Sequence, residues 1–209
     1  MKTKFIIVVG KTCTGKDTLV KEIKNMFTTS IVEMKNCTTR PKRTDKEDTY
    51  IFLTHEEFTK KFFNDEFIEV KDYNNWFYGT LKSEIVEGKT NLTSLAIERV
   101  NLFYDYLKST NQLHNSLVIF LDTNEKTRIR RYVNRLLKDD QVEIKHFKEL
   151  VRRFETEEKD YIMNELEDFP NVISLDTSAL DYQEKYGNLI KTIFNFTRED
   201  ERNERSRIC

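Results

Sequence analysis

The stretch Phe5-Ile6-Ile7-Val8-Val9-Gly10-Lys11-Thr12-Cys13-Thr14-Gly15-Lys16-Asp17-Thr18-Leu19-Val20 decides the fold. An apolar run bounded by Gly10 reads as a buried strand, and apolar residues at Leu19, Val20, Ile23 and Phe27 after Gly15 read as one face of a helix. Between them, Gly10, four residues and then Gly15-Lys16 have the spacing of a phosphate loop. Its glycines let backbone N–H groups turn inward, Lys16 adds a point charge, and the helix start supplies the anion-binding end of a dipole. Residues Gly10, Lys11, Thr12, Cys13, Thr14, Gly15, Lys16, Asp17 and Thr18 are therefore the expected nucleotide-phosphate contacts. Asp17 stands where the pattern has Ser or Thr, whose hydroxyl ligates magnesium. A carboxylate is itself a good ligand for Mg2+, so Asp17 is the expected metal ligand, with the Thr18 hydroxyl left for phosphate. The bland alternative, a tight strand-to-helix turn with a stray lysine, does not account for strand, loop, lysine and helix occurring together.

The rest of the 209 residues bound the problem. One domain with a full core is expected. The 35 basic and 36 acidic residues balance to a formal charge of −1, which argues against nucleic-acid binding through net field. Cys13, Cys37 and Cys209 are odd in number and widely spaced, as in neither a disulfide framework nor a zinc site, so a cytoplasmic location is expected. The N-terminal apolar run is too short for a signal peptide and breaks at Gly10, and no stretch is long enough to cross a membrane. His55, His114 and His146 are scattered and receive no chemistry.

Along the chain, Ile31 to Met34 reads as a second strand and Tyr50 to Leu53 as another. Thr54-His55-Glu56-Glu57 is a capping box opening a helix to about Asn64. Phe67 to Val70 and Trp76 to Tyr78 flank the turn signal Asn74-Asn75, suggesting a small inserted β-lobe. Strand and helix then alternate: Thr90 to Ala96, Glu98 to Lys108, and Leu117 to Leu121. A charged segment from Asn124 to Leu166 follows, read as two helices interrupted near Lys138-Asp139-Asp140. Val172 to Leu175 is a last strand, Tyr182 to Phe196 a last helix, and residues 197–209 a frayed polar tail. The order implies an α/β fold, a parallel sheet flanked by helices on both faces.

Thr38-Thr39-Arg40-Pro41-Lys42-Arg43, then Tyr50-Ile51-Phe52, Glu56-Glu57-Phe58, Glu66-Phe67-Ile68-Glu69 and Tyr78-Gly79-Thr80, together with the phosphate loop and the segment around Arg131, resemble the guanylate kinase family as far as Leu175. The resemblance implies a P-loop nucleoside monophosphate kinase fold: core 1–35 and 90–196, monophosphate-binding lobe 36–89, and lid about 128–155. Arg40 and Arg43 match the arginines that clamp the monophosphate's phosphate, for which forked guanidinium donors are suited. Tyr50 and Tyr78 match phosphate-binding tyrosines, Glu69 the carboxylate that accepts from guanine N1–H and its amine, and Thr80 and Asn36 positions beside the base. Lid arginines fall on Arg131, Arg135 and Arg153, with Arg128 and Arg152 as competitors.

One departure lies after the β-lobe. The family has acidic residues there that help read the base, whereas Thr93-Ser94-Leu95-Ala96 offers only hydroxyls, with Ser94 at the site and Glu98 nearby. The resemblance implies ATP-dependent phosphorylation of a purine nucleoside monophosphate, GMP or dGMP, with Mg2+, by a monomer or homodimer and with no nucleic-acid or membrane partner. Two alternatives stay open: a kinase for another (deoxy)nucleoside monophosphate, and a non-catalytic interaction module. Lys16, Arg40 and Arg131 favour an enzyme.

Overall fold

The structure, a computed structural model, describes residues 2–42, 45–137, 142–159 and 166–205. In chain order it contains β1 (Lys4–Gly10), α1 (Lys16–Met26), β2 (Ile31–Glu33), β3 (Asn36–Thr38), β4 (Tyr50–Phe52), α2 (His55–Phe63), β5 (Phe67–Tyr73) and β6 (Trp76–Leu81). There follow β7 (Thr90–Leu95), α3 (Ile97–Ser109), β8 (Ser116–Asp122), α4 (Glu125–Leu136), α5 (Ile144–Lys159), β9 (Val172–Asp176) and α6 (Tyr182–Arg205).

Five strands form the core sheet in the order β2-β7-β1-β8-β9, every neighbouring pair parallel. β1 lies at the centre and is buried along its whole length, which is why its sequence is apolar without alternation. Its side chains still divide by parity between the two faces. Phe5, Ile7 and Val9 pack against Val100, Phe103 and Leu107 of α3. Ile6 and Val8 pack against Leu19, Val20 and Ile23 of α1 and Leu189 and Ile193 of α6. Apolar burial on both faces is the main favourable term that fixes the layer order.

The second sheet has the order β4-β3-β6-β5. β5 and β6 form a hairpin around Asn74 and Asn75, whose φ values of 52° and 63° are those of the tight two-residue turn that Asn tolerates. α2 closes over this sheet through Phe58, which packs with Cys37, Phe67 and Leu81. The expected capping box is present: the Thr54 hydroxyl accepts from the Glu57 amide at 3.1 Å, and the Glu57 carboxylate accepts from the Thr54 amide at 2.7 Å. Gly79 sits where β6 passes beneath Phe67. A Cβ there would stand 2.8 Å from the Phe67 ring and 3.0 Å from the Glu69 carbonyl oxygen. Gly79→Ala should therefore destabilise the protein by about 1–3 kcal/mol, read as a lower midpoint in denaturant.

The structure differs from the sequence reading in two elements. Asn36–Thr38 is a strand that three residues are too few to announce by periodicity; it is specified by pairing with β4 and β6. α6 continues to Arg205 rather than ending at Phe196, through a segment that contains neither Gly nor Pro. The expected break at Lys138-Asp139-Asp140 lies outside the described residues, between α4 and α5. Among the described residues no helix is long and apolar enough to cross a membrane.

Candidate active site

β1 runs between β7 and β8, so its carboxyl end opens onto the crevice where ligands of open α/β sheets bind. The loop from Gly10 to Gly15 occupies that end. Gly15 caps α1 with φ 104°, a conformation that favours glycine. Gly10 is packed so closely that a Cβ would meet the Leu121 carbonyl oxygen and the Thr14 hydroxyl, each at 2.8 Å. The Lys16 ammonium curls into the loop, donating to the carbonyls of Gly10 at 2.7 Å and Lys11 at 2.9 Å. Two of its three donors are so engaged, which leaves the third for an anion. Burial lowers the Lys16 pKa, against the opposing pull of Asp17, Glu157 and Glu98.

A cleft of about 480 Å³ extends from this loop to the second sheet. Its floor at the core end carries Thr12, Cys13, Lys16 and Asp17; across from them stand Arg40, Tyr50, Lys71, Tyr73 and Tyr78. Arg135 and Arg153 enter from α4 and α5, and Ser94 and Arg99 from the end of β7 and the start of α3. Arg40 pairs with Glu47 at 2.6 Å and lies 5.7 Å over the Tyr50 ring, so its fork is held in place. Arg43 lies outside the described residues. Tyr50 and Tyr78 meet edge to face at 6.1 Å.

Not every expected residue reaches the cleft. Arg131 is turned onto the backbone of the phosphate loop, donating to the carbonyls of Cys13 at 3.2 Å and Thr14 at 3.0 Å and to the Thr177 hydroxyl at 2.8 Å. Arg128 donates to the Thr12 carbonyl at 2.9 Å and pairs with Glu157, whose carboxylate also accepts from the Thr12 amide at 2.7 Å. α4 and α5 are thereby tied to the loop. Arg153 donates through Nε to Glu149 at 2.6 Å, and Arg152 makes two bonds to the same carboxylate. Burial opposes ionisation of Glu149, but those arginine hydrogen bonds hold its pKa down at about 2.

Asn36, Glu69 and Thr80, expected beside the base, form a buried cluster with a fourth member that sequence reasoning missed, Arg99. No local signal marks Arg99, which sits within the apolar face of α3. Tyr73 and Lys71 were also missed, although two-residue alternation along β5 from Glu69 carries them to one face. Burial raises the pKa of the Cys13 thiol despite Arg135 and Lys16, which disfavours its thiolate.

No group of three or more His, Cys, Asp or Glu side chains among the described residues is placed to hold a metal ion. Magnesium beside nucleotide phosphates requires less, commonly one or two carboxylates. Asp17, exposed in the first turn of α1 and lining the cleft beside Lys16, fits that requirement.

The family model described as guanylate kinase matches residues 2–175. The guanylate kinase of Thermotoga maritima is 35% identical over 104 residues, which are 47% of this chain and half of that relative's length. The guanylate kinase of Mesomycoplasma hyopneumoniae (strain 7448) is 32% identical over 152 residues, 68% of this chain and 75% of the relative. The crystal structure of guanylate kinase from Anaplasma phagocytophilum superposes with a TM-score of 0.58 over 96% of this chain and 87% of that one; at 18% identity it speaks for the fold alone. The P-loop kinase fold and a family match that begins before the phosphate loop and ends in the last core strand agree, and this chain belongs to the guanylate kinase family.

Proposed function

We infer that the chain transfers the γ-phosphoryl group of ATP to a purine nucleoside monophosphate, GMP or dGMP, giving the diphosphate. The observation that carries this reading is the single cleft joining the Lys16 end of the phosphate loop to the Arg40, Tyr50 and Tyr78 wall of the second sheet. Donor phosphates belong at the loop and the acceptor phosphate at that wall. Phosphoryl transfer leaves a protein little covalent work, so positioning and charge stabilisation supply most of the rate. Lys16 holds the terminal phosphates, Arg40 with the tyrosines aligns the acceptor, and Arg135 and Arg153 cover the transferring group from the lid helices. Asp17 would hold magnesium, which would supply neutralisation of the negative charge on the nucleotide phosphates.

A coupled assay with magnesium-ATP against ribo- and deoxyribonucleoside monophosphates tests the reading. Turnover of GMP or dGMP is expected, and a protein that binds nucleotides without turning over any monophosphate would be an interaction module instead.

Asp17 would hold the metal directly or through water, with Thr18 offering its hydroxyl to the phosphates. A bare carboxylate 4 Å from a phosphate charge is repelled by about 4 kcal/mol at an effective dielectric near 20, a penalty that an intervening cation removes. ATP binding measured with and without magnesium should therefore show a larger metal effect in the natural protein than in Asp17→Ser, and metal-free ATP should bind the variant better. Equal metal effects would make Asp17 a tolerated loop variant.

A further inference from the structure

The base end of the cleft is not faced by the carboxylate that the family resemblance places there. Glu69 is buried, and neither it nor Asn36 nor Thr80 lines the cleft, whereas Arg99 does. The Glu69 oxygens are already engaged. Arg99 Nε donates to Glu69 Oε2 at 2.8 Å, and Nη2 pairs with Oε1, where the Thr80 hydroxyl also lies at 2.7 Å. Nη2 reaches Asn36 Oδ1 at 2.8 Å as well, while the Asn36 amide donates to the Ser94 carbonyl at 2.9 Å. Three carbonyl-type oxygens and one hydroxyl thus converge on the Nε and Nη2 edge of the guanidinium. Among the described residues its remaining nitrogen, Nη1, has no hydrogen-bond partner.

We propose that Arg99 is the residue that reads the base, presenting N–H donors in place of the Glu69 carboxylate, so that the protein selects a 6-oxopurine by its carbonyl oxygen and is indifferent to the 2-amino group. The inference rests on the kinase reading for its substrate frame. A guanidinium has no acceptor, and the Nη1 that remains can only donate, for which the O6 carbonyl that guanine and hypoxanthine share is the matching group on the base. Adenine sets an amine there. The 2-amino group of guanine, in contrast, finds no unoccupied carboxylate oxygen, because breaking the Arg99–Glu69 pair would leave two buried charges uncompensated. Charge balance says the same: Glu69 and Arg99 cancel, and the base meets a neutral cluster with donors outermost.

The test compares GMP, IMP and AMP by kcat/KM in the natural protein, and by direct calorimetric binding so that the result does not depend on turnover. A site that hydrogen-bonds the 2-amino group would reject IMP by orders of magnitude. Here GMP and IMP should agree within about tenfold in both measurements, with AMP weaker than either. Arg99→Gly should expose Glu69 and raise the GMP/IMP ratio above tenfold; should that variant not fold, Arg99→Lys keeps the charge pair and should hold the ratio near its natural value while weakening both ligands. A natural GMP/IMP ratio above tenfold, or AMP bound as well as IMP, overturns the proposal. Equal binding of GMP and IMP without phosphorylation would instead overturn the kinase reading and leave the role of Arg99 standing.

Discussion

Lys16→Ala should lower kcat by about 10³ or more while leaving the fold intact, as measured by steady-state turnover beside far-UV circular dichroism. Removing one preorganised donor from developing charge costs about 10²–10³ in rate, and Lys16 supplies a full charge as well as a donor. The cost has a second origin. Its ammonium bridges the carbonyls of Gly10 and Lys11, so the alanine variant leaves two loop acceptors without that partner and loosens the nest of backbone N–H groups. Lys16→Gln separates the two origins, because its amide can still donate to the loop carbonyls but carries no charge. Equal losses in both variants would assign the effect to electrostatics; a substantial recovery in Lys16→Gln would assign it to loop geometry.

The phosphate loop was legible because its signal is local: strand, glycines, lysine and helix lie within one short run, and each residue's conformation follows from its neighbours. The same holds for the Thr54 capping box and the Asn74-Asn75 hairpin, both formed as the sequence implies. β3 and the reach of α6 were hidden for the opposite reason. Three residues show no period, and a charged segment without helix breakers does not declare where it stops.

Within the cleft the division is by distance along the chain. Arg40 and Tyr50 belong to consecutive motifs and line the cleft together. The contact of Glu157 with Thr12 spans 145 positions, and that of Arg99 with Glu69 spans 30; neither partner announces the other. A buried arginine in an apolar helix face looks in sequence like a solvated one. Only packing against an opposite charge distinguishes them.

Arg153→Ala should lower kcat by about 10³ with little change in monophosphate affinity, because an arginine that covers the transferring group acts chiefly on charge that develops in the transition state, and such residues are worth 10³–10⁵ in rate. Arg153 is suited to this role by how it is held. Glu149 takes its Nε at 2.6 Å and fixes the plane of the guanidinium, which lines the cleft with its terminal nitrogens uncommitted among the described residues. Arg152, on the same helix, gives both Nε and Nη2 to Glu149 and lies over the Tyr73 ring at 4.8 Å, so it has less to offer a phosphate. Arg131 should behave differently again. Its guanidinium donates to the Cys13 and Thr14 carbonyls and so braces the phosphate loop, and Arg131→Ala should weaken ATP binding more than it slows the bound complex. Single-turnover kinetics at saturating ATP distinguish the two: a rate deficit that persists in Arg153→Ala and largely disappears in Arg131→Ala is expected, and the reverse pattern would move the charge-stabilising role to Arg131.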